Sequence, residues 1–278
     1  MVETVPALLG AGVRFVVAGG VMLAVLAARG GISRLRVEPR MLLRLAAIGT
    51  LLAAGGNGLV TVAEENVPSG LAALIVASVP LWIVVYRSAW RDRVTPATLT
   101  GVAIGFVGVG LLLLPGNRPA GVPLGGTLLI VGAAASWGFG SFASQRMTMP
   151  SDPLVSTAWQ MLAGGLVMLV ASVIAGQPGD VHVGEFSTKS LLSLLYLITI
   201  GSVVAYSAYT WLLQHAPISQ VATYAYVNPM VAVVLGWAIL NESVPPMMLA
   251  ASAVIVLAVA AIVRVESRPR AAAVEPAS

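Results

Sequence analysis

The chain has 278 residues, of which 58% are hydrophobic and 9% charged, with a mean hydropathy of +0.93. A soluble domain carries roughly a quarter charged residues, so this sequence has too little polar surface for a water-soluble globule and reads as an all-α integral membrane protein. Cysteine is absent, which excludes disulfide scaffolds, cysteine metal sites and thiol catalysis; two histidines and eleven carboxylates leave little for metal or acid–base chemistry, and no cofactor is implied.

Nine apolar stretches follow one another along the chain: α1 over 5–28, α2 over 41–63, α3 over 69–89, α4 over 96–114, α5 over 125–145, α6 over 153–175, α7 over 190–213, α8 over 217–240 and α9 over 246–265. Each is close to the roughly 20 residues that a helix needs to cross a 30 Å hydrocarbon core. Barrel strands would instead alternate polar and apolar residues over about ten positions. Short connectors such as Arg91-Asp92-Arg93 and Pro115-Gly116-Asn117-Arg118-Pro119 separate the stretches, and the Ala/Pro-rich residues 267–278 read as a disordered tail. No cleavable signal peptide is expected, because Glu3 occupies the n-region and no small-residue cleavage motif follows.

The net charge of +4 would suit a nucleic-acid binder, but its placement argues otherwise. Twelve of the fifteen Lys and Arg residues fall on one side of the predicted topology: Arg29, Arg34, Arg36, Arg40 and Arg44 between α1 and α2; Arg87, Arg91 and Arg93 between α3 and α4; Arg146 between α5 and α6; and Arg264, Arg268 and Arg270 at the C-terminus. Arg118 and Lys189 fall on the other side, and Arg14 lies inside α1. The positive-inside rule makes the crowded side cytoplasmic. The C-terminus is then inside and the N-terminus outside.

An internal repeat is visible. Pro68-Ser69-Gly70-Leu71-Ala72-Ala73 through Val79-Pro80 opens α3 as Pro217-Ile218-Ser219-Gln220-Val221-Ala222 through Asn228-Pro229 opens α8, and each run ends in an acidic turn before a further helix. Likewise Pro6, Arg14 and Ala18-Gly19-Gly20 of α1 match Pro153, Gln160 and Ala163-Gly164-Gly165 of α6. The matched helices run in opposite directions, an inverted repeat of the kind that places a transport site near the midplane. The first repeat, 1–114, has four helices and the second, 125–265, has five. Nothing before Pro6 corresponds to α5, so a first helix is expected to be missing from a ten-helix, 5+5 plan.

These segments resemble the drug/metabolite transporter superfamily, EamA family, and within it the YedA-like exporter branch. The resemblance is carried by Gly56-Asn57-Gly58-Leu59-Val60-Thr61-Val62-Ala63-Glu64, Asn66-Val67-Pro68-Ser69-Gly70, Ser136-Trp137-Gly138-Phe139-Gly140-Ser141 and Tyr224-Ala225-Tyr226-Val227-Asn228-Pro229. It implies a ten-helix inverted-repeat carrier of amino acids, metabolites or toxic compounds. The family's first helix carries a Trp-Gly-Ser-type motif similar to Trp137-Gly138, and that motif is absent before Pro6.

Several residues are candidates for substrate binding. Arg14 sits roughly 13 Å into α1, where a charge faces a cavity or a partner; it either holds a substrate carboxylate or phosphate or anchors neighbouring backbone. Pro80 and Pro229 each remove a helical donor and displace the carbonyl four residues earlier, at Val76 and Ala225; they mark a paired hinge or are packed kinks. Asn57, Trp137, Gln160, Ser202, Tyr206, Tyr224 and Asn228, with Trp159 and Tyr226 nearby, gather about the midplane. Singly they suit helix packing, and as a set they suit a cavity that binds a polar substrate with aromatic contact.

Glu64 and Glu65 read as solvated helix ends, and no carboxylate sits at mid-membrane to carry a titrating proton. Gly101, Gly105, Gly108 and Gly110 line α4 for close packing or a dimer contact. His182 and His215 fall in loops on opposite faces, so no catalytic pair assembles and an enzyme is not expected. The reading is a monomeric exporter of a small molecule working by alternating access, with the lipid bilayer and no nucleic acid as partner; the alternative is a transport-inactive remnant lacking the first helix.

Overall fold

The computed structural model describes residues 4–114, 119, 121–181, 184, 186–222 and 246–266, together with positions 224, 228, 231, 232, 234, 235 and 238. Helices dominate, and no strand occurs among the described residues. Among the described residues, seven helices are long and apolar enough to cross a bilayer: α1 Ala7–Gly30, α2 Pro39–Ala63, α3 Ser69–Ala89, α4 Pro96–Leu113, α5 Leu124–Ser144, α6 Pro153–Ile174 and α7 Thr188–His215. The apolar helix Pro246–Glu266 is α9. Predicted α8 is described as a continuous helix over Ile218–Val221, and Pro229 lies outside the described residues. Large apolar side chains such as Val107, Val170, Ile174, Leu192 and Leu257 stand exposed around the bundle, where lipid rather than water would meet them.

Local chemistry sets the helix starts. Pro39, Pro96 and Pro153 occupy first-turn positions, where a missing N–H costs nothing. Thr95, Asp152 and Ser187 accept from the otherwise orphaned amides of Thr98, Leu154 and Ser190. The first turn of α1 has no such cap of its own, and Leu9 N–H is taken instead by Gln177 Oε1 at 3.1 Å.

Three helices depart from α geometry. α3 is broken at Ala77 and Ser78 into Ser69–Val76 and Val79–Ala89. The break falls just before Pro80, which has no donor to return to Val76, and Ser78 Oγ donates to Ile75 O at 2.6 Å across it. α2 runs as a π-helix over Thr50–Gly58, and α7 does so over Leu197–Tyr206. These are the matching stretches of matching helices in the two repeats. Such segments are rare and cluster at functional sites.

Among the described residues two large apolar cores form, with a small third cluster of Val79, Ile83 and Ala134. Phe15, Ile48, Leu52, Met161 and Met168 join α1, α2 and α6, with Tyr206 of α7; Leu74, Leu81, Leu112, Ile130 and Ile255 join α3, α4, α5 and α9. α1 packs closely on α6 and α4 on α9, and each pair joins repeat-related helices. Gly12 abuts Leu169 while Gly19 abuts Ala158 and Leu162, so α1 and α6 cross antiparallel. On α4 and α9, Gly101 and Ala251 are each the fifth residue after their opening proline, and Gly108 and Ala258 each the twelfth. The contacts are Gly101 with Ala258 and Gly108 with Ala251. That exchange is what a two-fold axis between the helices produces. The glycines of α4 are thus used within the chain: Gly105 faces Leu81, and only Gly110 has nothing near it among the described residues.

The polar ends sort as the charge alternation requires. At one end Arg34 meets Asp152 at 2.6 Å and Arg146 meets Asp92 at 2.6 Å, with Arg87 3.5 Å from Asp92, so three basic loops are tied together. Asp92 reaches them because Arg91 adopts φ +61° and turns the chain back over the end of α3. At the other end Ser187 N–H donates to Thr4 Oγ1, joining the N-terminal segment to the loop before α7.

Two outcomes follow from this packing. A Cβ on Gly108 would stand 2.8 Å from Ile255 and 3.3 Å from Ala251 O. Gly108→Val should therefore lower stability by about 1–3 kcal/mol, read as the thermal unfolding midpoint of detergent-solubilised protein, while Gly110→Val on the same helix should not. Asp92 accepts from Arg146 and feels the charge of Arg146 and Arg87, which together hold its carboxyl below the ordinary range against a smaller opposing effect of burial. A depressed carboxylate pKa stabilises the fold at neutral pH and ceases to do so as pH falls through that pKa. Asp92→Asn should cost up to about 1 kcal/mol at pH 7, and the cost should shrink as pH falls below the ordinary carboxylate range in the same assay.

Candidate functional site

A cavity of about 670 Å³ lies where α2, α5, α7 and the α8 region meet, and Asn57, Trp137, Tyr206, Tyr209, Tyr224 and Asn228 line it. A smaller space of about 220 Å³ continues from it past Val60, Val76 and Val79 beside the break in α3. Five of the residues expected from sequence therefore share one wall. Gly201, Ala205 and Gln220 also line the larger cavity.

The aromatic wall is held from behind. Gly56 has no room for a Cβ against the Trp137 ring, whose Cε3 would be 2.5 Å away, so the indole lies directly on the backbone of α2. Trp137 Nε1 donates to Tyr209 Oη at 2.8 Å. Ser141 Oγ donates to Trp137 O at 2.7 Å, which uses its one hydrogen, so the 2.6 Å contact between Ser141 and Tyr209 is a bond donated by the tyrosine. Trp137, Tyr209 and Ser141 thus close a ring of three hydrogen bonds. Tyr206 packs edge-on against both Phe15 and Trp137, with centroids 5.7 and 6.1 Å apart, and Tyr209 packs edge-on against Tyr224 at 5.7 Å.

The π segments are satisfied by side chains at the same level. Ser136 Oγ donates to Leu51 O at 2.8 Å, and Asn57 Nδ2 donates to Leu52 O at 3.3 Å. Part of Asn57 is therefore committed to its own helix. The remaining expected residues lie one layer back. Gln160 is buried on α6, donating to Ser156 Oγ at 3.0 Å and accepting a long 3.4 Å bond from Tyr206. Arg14 and Ser202 pair with each other, Nε to Oγ at 2.8 Å, behind Gly201.

Pro80 sits inside the second half of α3 and is buried away from the cavity lining. Trp159, read from sequence as near the midplane, lies toward the basic end, where its Nε1 donates to Leu35 O at 3.3 Å. Tyr209 was not anticipated. The signal for it is its spacing of three from Tyr206, which puts both rings on one helical face. Among the described residues no group of three or more metal-ligating side chains occurs.

The hydrogen-bonded ring has a measurable consequence. Tyr209→Phe removes the acceptor of Trp137 and the donor to Ser141 and should cost about 1–3 kcal/mol of stability. Combined with Ser141→Ala, the loss should be less than the sum of the two single losses in a thermal-unfolding double-mutant cycle.

The chain matches the EamA-like transporter family over residues 1–114 and 124–264. It is 40% identical over 260 residues to the Escherichia coli K12 protein "Uncharacterized inner membrane transporter YedA", covering 93% of this chain and 82% of that one. It is 24% identical over 198 residues to the "Probable amino-acid metabolite efflux pump" of Salmonella typhimurium, covering 68% of this chain and 66% of the other. A solved crystal structure superposes with a TM-score of 0.64 at 22% identity over 96% of this chain and 91% of that one, a likeness of fold.

Proposed function

The chain belongs to the EamA-like transporter family, and we propose that it exports amino acids, related metabolites or amphipathic drugs across the inner membrane by alternating access. The observation that carries this reading is the aromatic and amide-lined cavity between helices of both repeats, with Asn57 from the first and Trp137, Tyr206 and Tyr224 from the second. Its size suits a small organic solute. Tyrosine and tryptophan faces offer apolar contact to a side chain or cation–π attraction to an ammonium group. The name of the Salmonella relative favours amino-acid metabolites over other cargo, and efflux over uptake.

Alternating access needs elements that bend without exposing backbone to lipid. The paired π segments in α2 and α7 and the break at Ala77–Ser78 supply three such places around one cavity. Rocking of the repeats about them would open the cavity to each side in turn. The ion-paired loops at the basic end are read as cytoplasmic, with the C-terminus on that side, because twelve basic residues fall there in the predicted topology. Asp92–Arg146 and Arg34–Asp152 would then part when the cavity opens inward. The protein is read as acting as a monomer, since the duplication puts both halves in one chain.

Growth rescue in an efflux-deficient bacterial host tests the reading. Expression of the chain should raise the inhibitory concentration of at least one toxic amino-acid analogue or amphipathic drug several-fold. Trp137→Ala and Asn228→Ala should return it to the level of the empty host at equal membrane abundance. Full protection by both variants would remove the cavity from the transport path.

A further inference from the structure

One glycine separates a buried guanidinium from the cavity. Arg14 is 8% exposed on α1, and its guanidinium carbon lies 4.7 Å from the ring centroid of Phe15. Its Nε donates to Ser202 Oγ at 2.8 Å. That uses one of the five N–H donors of an arginine. The terminal nitrogens, Nη1 and Nη2, donate to no partner among the described residues. Gly201 is both a lining residue of the cavity and the immediate neighbour of this group: a Cβ there would stand 3.1 Å from Arg14 Nη2. Any larger residue at 201 would wall the guanidinium off.

A charge in this position costs about 2.5–3.5 kcal/mol on insertion scales, and intramembrane charges face a cavity or a partner. Glu64, exposed at the end of α2, attracts Arg14 from a distance. The planar fork of unspent donors matches a carboxylate, which can accept two parallel N–H bonds. The other side chains around the cavity present rings and amides, which suit the uncharged body of a ligand.

Resting on the cavity being the transport site, we propose that Arg14 is its anion subsite, reached past Gly201. The preferred cargo is then an amphipathic carboxylate, with its anion on Arg14 Nη1 and Nη2 and its apolar body against Trp137, Tyr206 and Tyr209. Ser202 positions the arginine by holding Nε, and Nη2 is the terminal nitrogen beside Gly201.

The test is calorimetric titration of the full chain in lipid nanodiscs with three matched pairs: 3-phenylpropionate, octanoate and phenylalanine, each against its own amide. At least one carboxylate should bind tenfold or more tightly than its amide. Arg14→Gln and Gly201→Ala should each reduce the carboxylate to the affinity of the amide and leave the amide within twofold. Gly201→Ala keeps the arginine, so it separates access to Arg14 from any effect of losing the buried charge. Trp137→Ala should weaken both members of a pair alike. Equal affinity of acid and amide in the unaltered protein, or equal weakening of both by Arg14→Gln, would overturn the anion subsite and leave the cavity reading standing. Failure of every probe to bind protein with an intact unfolding transition would overturn both.

Discussion

In hydrocarbon no water is available to a stray amide or carbonyl, and that constraint organises this protein. Where the backbone leaves α geometry in α2 and α3, side chains take up carbonyls. Ser78 bridges the break in α3, and Ser136 and Asn57 serve the carbonyls of Leu51 and Leu52 in the π segment of α2. Other buried hydroxyls, such as Thr98, Thr127 and Ser172, sit in regular helix. The irregular stretches of α2, α3 and α7 border one cavity and its continuation.

The same lack of water removes the usual reason for helices to associate, since lipid tails are as apolar as leucine. Close approach has to supply it. Gly12, Gly19 and Gly165 bring α1 and α6 together, and Gly101 and Gly108 do so for α4 and α9. Both pairs join repeat-related helices, while Gly49 and Gly164 bring α2 against α6 in the same way. Two larger apolar cores lie among the described residues, and the cavity lies between helices drawn from both. The π segments face both ways: Leu52 and Tyr206 pack into one core, while Asn57 and Tyr206 line the cavity.

Trp137 shows how the levels connect. Gly56 lets its ring lie on the α2 backbone, Tyr209 and Ser141 fix its edge, and Tyr206 packs against its face. An aromatic so constrained presents a fixed surface to the cavity. Arg14 is the contrasting case, tied at one nitrogen and one glycine away from the same space.

The helical membrane class and the positions of the seven described spans were legible from composition and hydropathy, because length and apolarity act residue by residue. The inverted repeat was legible too, since prolines and glycines recur at matched spacings in α1 and α6 and in α3 and α8. Asn57, Trp137, Tyr206, Tyr224 and Asn228 could be singled out as polar or aromatic residues at a common depth. Depth alone could not tell that Gln160, Arg14 and Ser202 stand a layer behind them, that Trp159 belongs to the basic end, or that Tyr209 joins the wall. Those distinctions depend on helix rotation and on which glycine lets which neighbour approach. The π segments of α2 and α7 pack against α5 and α1, partners that no local pattern in either helix encodes.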